Sequence, residues 1–151
     1  MTRFRIAAAA AGIGLAAFAH AGNRGTPTEA KAMLAKAAAH YKAVGRTQAL
    51  ADFNGKKAPF GDRDLYVFCI SAERVIVANG GYSSFVGMSA DVLKDADGKP
   101  LGKSLWEAGL QEGGGSVDYP LVNPVSHRPE PKVSFVEKMG DDVCGVGAFK
   151  G

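Results

Sequence analysis

Apolar residues recur at Ala30, Met33, Leu34, Ala37, Ala38, Tyr41 and Val44, with Lys31, Lys36 and Lys42 between them. Steps of three and four put the apolar positions on one stripe of a helix and leave the lysines for water. The start is marked too. Thr26 can cap, Pro27 sits at the first helical position and Glu29 completes a capping box. Gly45 is expected to end the helix as a left-handed cap. A second, short helix is expected over Thr47 to Phe53, with Leu50 and Phe53 facing in and Asn54-Gly55 closing it.

The period then changes. Leu65 to Ser71 is a strongly apolar strand, residues 71–74 a turn and Val75 to Asn79 a second strand, together a hairpin. Gly80 to Asp97 reads as irregular loop. Lys99-Pro100 opens a helix from Leu101 to Gln111, with Leu101, Leu105 and Ala108 on one side, and Gly113-Gly114-Gly115 breaks it. Ser116 to Tyr119 is a third strand, followed by a proline-rich excursion from Pro120 to Pro131. Lys132 to Met139 is a fourth strand, Gly140-Asp141-Asp142 a tight turn and Val143 to Phe149 a fifth. Hairpins and late strands predict an antiparallel sheet with helices on one face, an α+β domain.

Residues 1–21 stand outside this pattern. Arg3 and Arg5 form a basic start, Ile6 to Ala19 is an uncharged, alanine-rich run, and Ala19-His20-Ala21 fits the small-x-small pattern of signal peptidase sites. The run is shorter than the roughly 20 apolar residues that span a bilayer. A cleaved signal peptide is therefore expected, with an uncleaved anchor as the alternative. Residues 22–151 are expected to form one soluble domain, since they hold no second apolar run of that length. A bacterial periplasm is the expected destination and secretion the alternative.

Composition narrows the function. With 46% hydrophobic and 22% charged residues the chain is an ordinary globular one. The net charge of +3 falls to +1 without Arg3 and Arg5. That leaves no electrostatic footprint for nucleic acid. Cys69 and Cys144 are too few for a disulfide-dense scaffold or a four-thiolate metal site. Both lie on expected strands. They form a disulfide if those strands are neighbours in an oxidising compartment, or else remain two buried thiols.

Enzyme signatures fail one by one. Gly81-Tyr82-Ser83-Ser84-Phe85 lacks the second glycine of a nucleophile elbow. Asp95-Ala96-Asp97-Gly98 fails as a calcium loop, because Leu93 and Ser104 stand at its first and twelfth positions. The glycine triplet precedes a strand, not a helix, so it makes no phosphate loop. His40, beside the apolar stripe, reads as a surface histidine, and His127 as a solvated loop residue. No nucleophile–base pair or metal cluster is visible, so neither enzymatic activity nor a cofactor is expected.

An ordered set of short pieces runs through the strand half: Asp64–Phe68, Val75–Gly81, Phe85–Gly87, Asp95–Pro100, Gly115–Pro120, Asn123-Pro124, Pro131–Val136 and Gly145–Phe149. In order and spacing this set resembles the single Cache domain of type 2, an extracytoplasmic sensor module with a PAS-like sheet. The resemblance covers residues 28–150. It implies a long amino-terminal helix packed on a five-stranded antiparallel sheet. It also implies a small ligand, often a short carboxylate, held between that sheet and the loops and helix covering it. Two departures matter. The family often has histidine before the glycine where this chain has Asn79. Members are usually fused to a transmembrane helix and a chemotaxis or kinase output, and this sequence ends at Gly151 without one. The expectation is a ligand-binding protein that works with a separate membrane receptor, kinase or transport partner. The alternative is an interaction module with a vestigial pocket that docks a membrane protein.

Candidate ligand contacts follow from residue chemistry. Lys132 opens a strand after the rigid Pro129-Glu130-Pro131, where its ammonium could pair with a carboxylate or simply be solvated. Tyr119 could wall the pocket and offer its hydroxyl, or be plain core. Asn79 either ties down the Gly80-Gly81 turn or binds ligand. Trp106 could roof the pocket from the covering helix, with core packing as the alternative. Tyr66 and Phe68 share one strand face and line the pocket only if that face lies away from the long helix. Arg63 is a possible second anion contact or a solvated side chain. Ligand identity and oligomeric state are open at this level.

Overall fold

The computed structural model describes residues 22–151, so the expected signal peptide lies outside the described residues. The first helix, α1 (Pro27–Val44), begins as its sequence dictates. The Glu29 amide donates to Thr26 Oγ1 at 3.2 Å, and the Thr26 amide donates back to Glu29 Oε2 at 2.7 Å. Ala30, Met33, Leu34, Ala37 and Tyr41 are its buried stripe. Val44, counted in that stripe from spacing alone, is exposed at the last position of the helix. Gly45 does have positive φ (84°), but its ψ of 165° is extended rather than left-handed helical. The chain therefore turns sharply into α2 (Arg46–Asn54), which buries Ala49, Leu50 and Phe53.

Five antiparallel strands follow, with one two-residue addition. β1 (Gly61–Asp62) pairs with the start of β2 (Leu65–Ile70), and β3 (Ile76–Asn79) pairs with its end. The remaining strands are β4 (Gly115–Val122), β5 (Pro129–Met139) and β6 (Asp142–Phe149). The order across the sheet is β3-β2-β6-β5-β4. β6 is central, and all eight of its residues are buried. The supposed excursion at 120–131 is half strand: Tyr119 pairs with Lys132, Pro120 with Pro131 and Val122 with Pro129, leaving only residues 123–128 as the loop. The prolines stand on the outermost hairpin, where a missing N–H is tolerated.

Alternation divides the sheet into two faces. Leu65, Val67 and Cys69 of β2 and Cys144, Val146 and Ala148 of β6 pack against α1 and α2. Ile70 of β2, Val143 of β6 and Val136 of β5 pack on the other side against Leu101, Leu105 and Ala108 of α3 (Leu101–Gly109). Helices therefore cover both faces, not one. The segment between β3 and α3 completes the second cover, with short 3-10 turns at Ser83–Phe85 and Ala90–Val92. α3 rests directly on the second turn: a Cβ on Gly102 would stand 1.9 Å from the Ala90 carbonyl oxygen.

Cys69 and Cys144 lie directly opposite each other on β2 and β6, with Cα atoms 4.0 Å apart, and are joined as a disulfide. The free-thiol alternative falls because β6 returns to the middle of the sheet and becomes the neighbour of β2.

Asp142, at the start of β6, is almost wholly buried and accepts from Tyr41 Oη at 2.8 Å and from both Arg46 Nε and Nη2 at 2.9 and 3.1 Å. That network ties the α1–α2 junction to the central strand. His40 is a correction to the surface reading. It is half-buried, bonded to Asp52 Oδ2 at 2.8 Å and packed against the ring of Phe60 at 4.6 Å.

Candidate ligand-binding site

The sheet face turned away from α1 does not close onto its cover. Between it and the 80–101 segment lies a cavity of about 380 Å³, within the range of roughly 300–1,000 Å³ typical of small-molecule sites. Its walls are largely apolar, with Phe68, Ile70 and Ile76 from the sheet and Phe85, Leu93 and Leu101 from the cover. Its polar groups gather at the other end, where Tyr66, Tyr119, Lys132 and Ser134 meet above Gly147.

Gly147 makes that end possible. It sits on β6 opposite Ser134 of β5. A Cβ there would come within 2.5 Å of Ser134 Oγ and 2.8 Å of Lys132 Cε. Without that side chain, the Lys132 stem lies across the central strand. Its ammonium reaches over the rings of Phe149, 4.7 Å from the centroid, and Tyr66, at 5.5 Å. Lys132 is 5% exposed. Burial lowers its pKa to about 8, and the negative charge of Asp64 offsets this only in part. Among the described residues no ion pair engages this ammonium.

Tyr119 Oη and Ser134 Oγ are 2.7 Å apart. One of their two hydroxyl hydrogens is spent within the pair, and the other is free to donate. Burial raises the Tyr119 phenol to about 12 and moves Tyr66 upward as well, so both remain protonated donors at neutral pH. Asn79 also lines the cavity, but its Oδ1 accepts from the amides of Gly81 and Tyr82 at 3.1 and 2.8 Å. The turn therefore takes its carbonyl and leaves its Nδ2 to donate. Asn54, closing α2, fixes this edge: its Oδ1 accepts from the Asn79 amide at 2.9 Å, and its Nδ2 donates to the Val77 carbonyl at 3.1 Å.

Of the six residues singled out from sequence, Tyr66, Phe68, Asn79, Tyr119 and Lys132 line this one cavity. Trp106 does not. It is half-buried and packs against the core cluster between the sheet and α3, with the Arg74 guanidinium 5.7 Å over its ring, and the cavity roof comes from Phe85, Leu93 and Leu101 instead. Arg63 is also elsewhere, bound to Glu29 at 2.7 Å and Asp62 at 2.8 Å beside α1. Sequence reading missed Ser134, Gly147 and Lys94, an exposed lysine at the mouth. Strand alternation from Lys132 identifies Ser134. Gly147 is legible only once β5 and β6 are known to pair, and Lys94 only once the loop is placed.

The arrangement offers several donors and one buried ammonium in a largely apolar space, with the exposed Lys94 at its mouth. It can hold an anionic head group and shield it from water. Among the described residues no group of three or more His, Cys, Asp or Glu side chains could hold a metal, and no helix is long and apolar enough to cross a membrane.

The fold has solved counterparts. One is a methyl-accepting chemotaxis protein from Vibrio parahaemolyticus, 19% identical with a TM-score of 0.65, covering 81% of this chain and 86% of that one. Another is the periplasmic sensor domain of a chemotaxis protein, 22% identical with a TM-score of 0.58, covering 81% and 88%. A third is a Cache chemosensory domain described for its recognition of carboxylic acids, 18% identical with a TM-score of 0.57, covering 81% and 86%. No protein of curated function matches the chain. The family model of the single Cache domain 2 matches residues 23–142, from the approach to α1 to the first residue of β6, and the chain belongs to that family of sensor domains.

Proposed function

We propose that this protein is a periplasmic sensor. In this reading residues 22–151 form one ligand-binding domain, freed from a signal peptide at residues 1–21. The domain takes up a small organic carboxylate and passes its occupancy to a separate membrane receptor, kinase or transport partner, without catalysing a reaction. The observation that carries the reading is the Lys132 ammonium, buried at one end of an apolar cavity among aromatic rings and hydroxyls, where the charge of Asp64 is felt but no carboxylate among the described residues pairs with it. A buried charge without a partner is costly. An incoming carboxylate supplies the partner and accepts from the free hydroxyl of the Tyr119–Ser134 pair. The likeness to a domain that recognises carboxylic acids supports this choice of ligand. The buried Cys69–Cys144 disulfide supports an oxidising compartment.

A thermal-shift screen of the purified protein against organic acids, amino acids and amines tests the proposal. A ligand at 100 times its Kd stabilises the native state by about 2.7 kcal/mol. The expected result is a rise in Tm with acids alone, absent in Lys132→Met. A flat screen with a well-folded protein overturns it in favour of an interaction module with a vestigial pocket.

A further inference from the structure

The cavity is polarised along the strands. Tyr66 and Ile70 stand on the same face of β2, four residues and about 13 Å apart. Tyr66 belongs to the end with Lys132, Ser134 and Tyr119. Ile70 belongs to the end with Ile76, Leu93 and Leu101. The first end holds the ammonium and the hydroxyl pair. The second presents hydrocarbon from both the sheet and its cover. Tyr82 and Val92, which also line the cavity, are 40% and 46% exposed.

Such a shape discriminates among acids. A two- or three-carbon acid would satisfy Lys132 but leave most of the 380 Å³ to water against hydrocarbon walls. A second carboxylate at the far end would lose its hydration without gaining a donor. If it turned instead toward Lys94 at the mouth, it would gain only the small energy of an exposed ion pair. An apolar tail along Phe68, Ile70 and Leu101 loses nothing and removes apolar surface from water.

We propose that the ligand is a monocarboxylate with an apolar tail of about four carbons or more, its head on Lys132 and its tail between the sheet and the Leu93–Leu101 cover. This rests on the carboxylate reading above and narrows it.

The test is calorimetric titration of the purified protein with acetate, butyrate, hexanoate, adipate and hexylamine. Each methylene added from acetate to hexanoate is expected to tighten binding about fourfold. Adipate is expected to bind at least tenfold more weakly than hexanoate, and hexylamine not at all. Leu93→Trp, which fills the tail end, should remove the gain in affinity with chain length. Lys132→Met should lose every acid. Acetate binding as tightly as hexanoate, or adipate matching it, overturns the tail inference and leaves the carboxylate site standing. A chain-length gain that survives in Lys132→Met also overturns it, as non-specific association. Failure of every acid to bind overturns the underlying reading itself.

Discussion

Lys132→Met keeps a flexible stem and removes the charge. The structure gives the sign of the effect on the empty protein and its order of magnitude. Burial holds the Lys132 pKa at about 8 in the folded protein, against an ordinary value of 10.5. The unfolded chain therefore binds more protons than the folded one between those two values, and stability rises with pH across that window. Below pH 8 both states carry the charge, and the folded state bears the full penalty, about 3 kcal/mol at 1.36 kcal/mol per pH unit. At pH 7 the variant should be more stable than the wild type by about 2–3 kcal/mol, with Tm higher by roughly 5–12 °C. Urea unfolding of ligand-free protein at pH 7 and pH 9.5 measures this directly. The gap should shrink by about 2 kcal/mol at the higher pH, as the wild-type ammonium loses its proton. A variant less stable than the wild type at pH 7 refutes the reasoning. The ammonium would then be satisfied within the empty protein and would have no call for an anion.

Other predictions follow from the same geometry. Carboxylate affinity should be level below pH 7 and fall about tenfold per unit above pH 8, as free Lys132 deprotonates; titration calorimetry across pH checks this. Gly147→Ala puts a methyl group against Ser134 Oγ and Lys132 Cε, and should cost about 1–3 kcal/mol in chemical denaturation and at least tenfold in acid affinity. Tyr41→Phe leaves buried Asp142 with Arg46 alone and should cost about 1–3 kcal/mol in urea unfolding with no change in acid affinity. The Cys69→Ala, Cys144→Ala double variant opens a bridge between residues 75 apart in sequence and should lose about 4 kcal/mol, read from denaturation of the oxidised wild type against the variant.

Local chemistry was plain in the sequence wherever a few neighbouring residues decide it. The Thr26–Glu29 capping box, the stripe from Ala30 to Tyr41 and the apolar strand at 65–70 all stand where their patterns put them. What depends on distant pairing was harder to see. Pro120 and Pro131 look like loop residues until the hairpin of β4 and β5 places them opposite each other at the sheet's edge. The one-sided cover was a wrong expectation, although Val143–Phe149 already held the signal against it. An unbroken apolar run in an antiparallel sheet means that both faces are covered. The same central strand decides the disulfide, because only its return beside β2 brings Cys144 to Cys69. Lys132 and Tyr119 stood out by residue type, yet their meeting needs the β4–β5 register. Trp106 misled because being the sole tryptophan says nothing of the direction it faces on α3.

The most direct test of the account is titration of hexanoate into the wild type and Lys132→Met at pH 8, each in two buffers of different ionisation enthalpy. At that pH about half of the free Lys132 side chains are neutral, and a bound carboxylate should return them to the charged form. The account predicts one site per chain, uptake of about half a proton on binding, and loss of both in the variant. Binding of equal strength in the variant, with no proton taken up by the wild type, would contradict it.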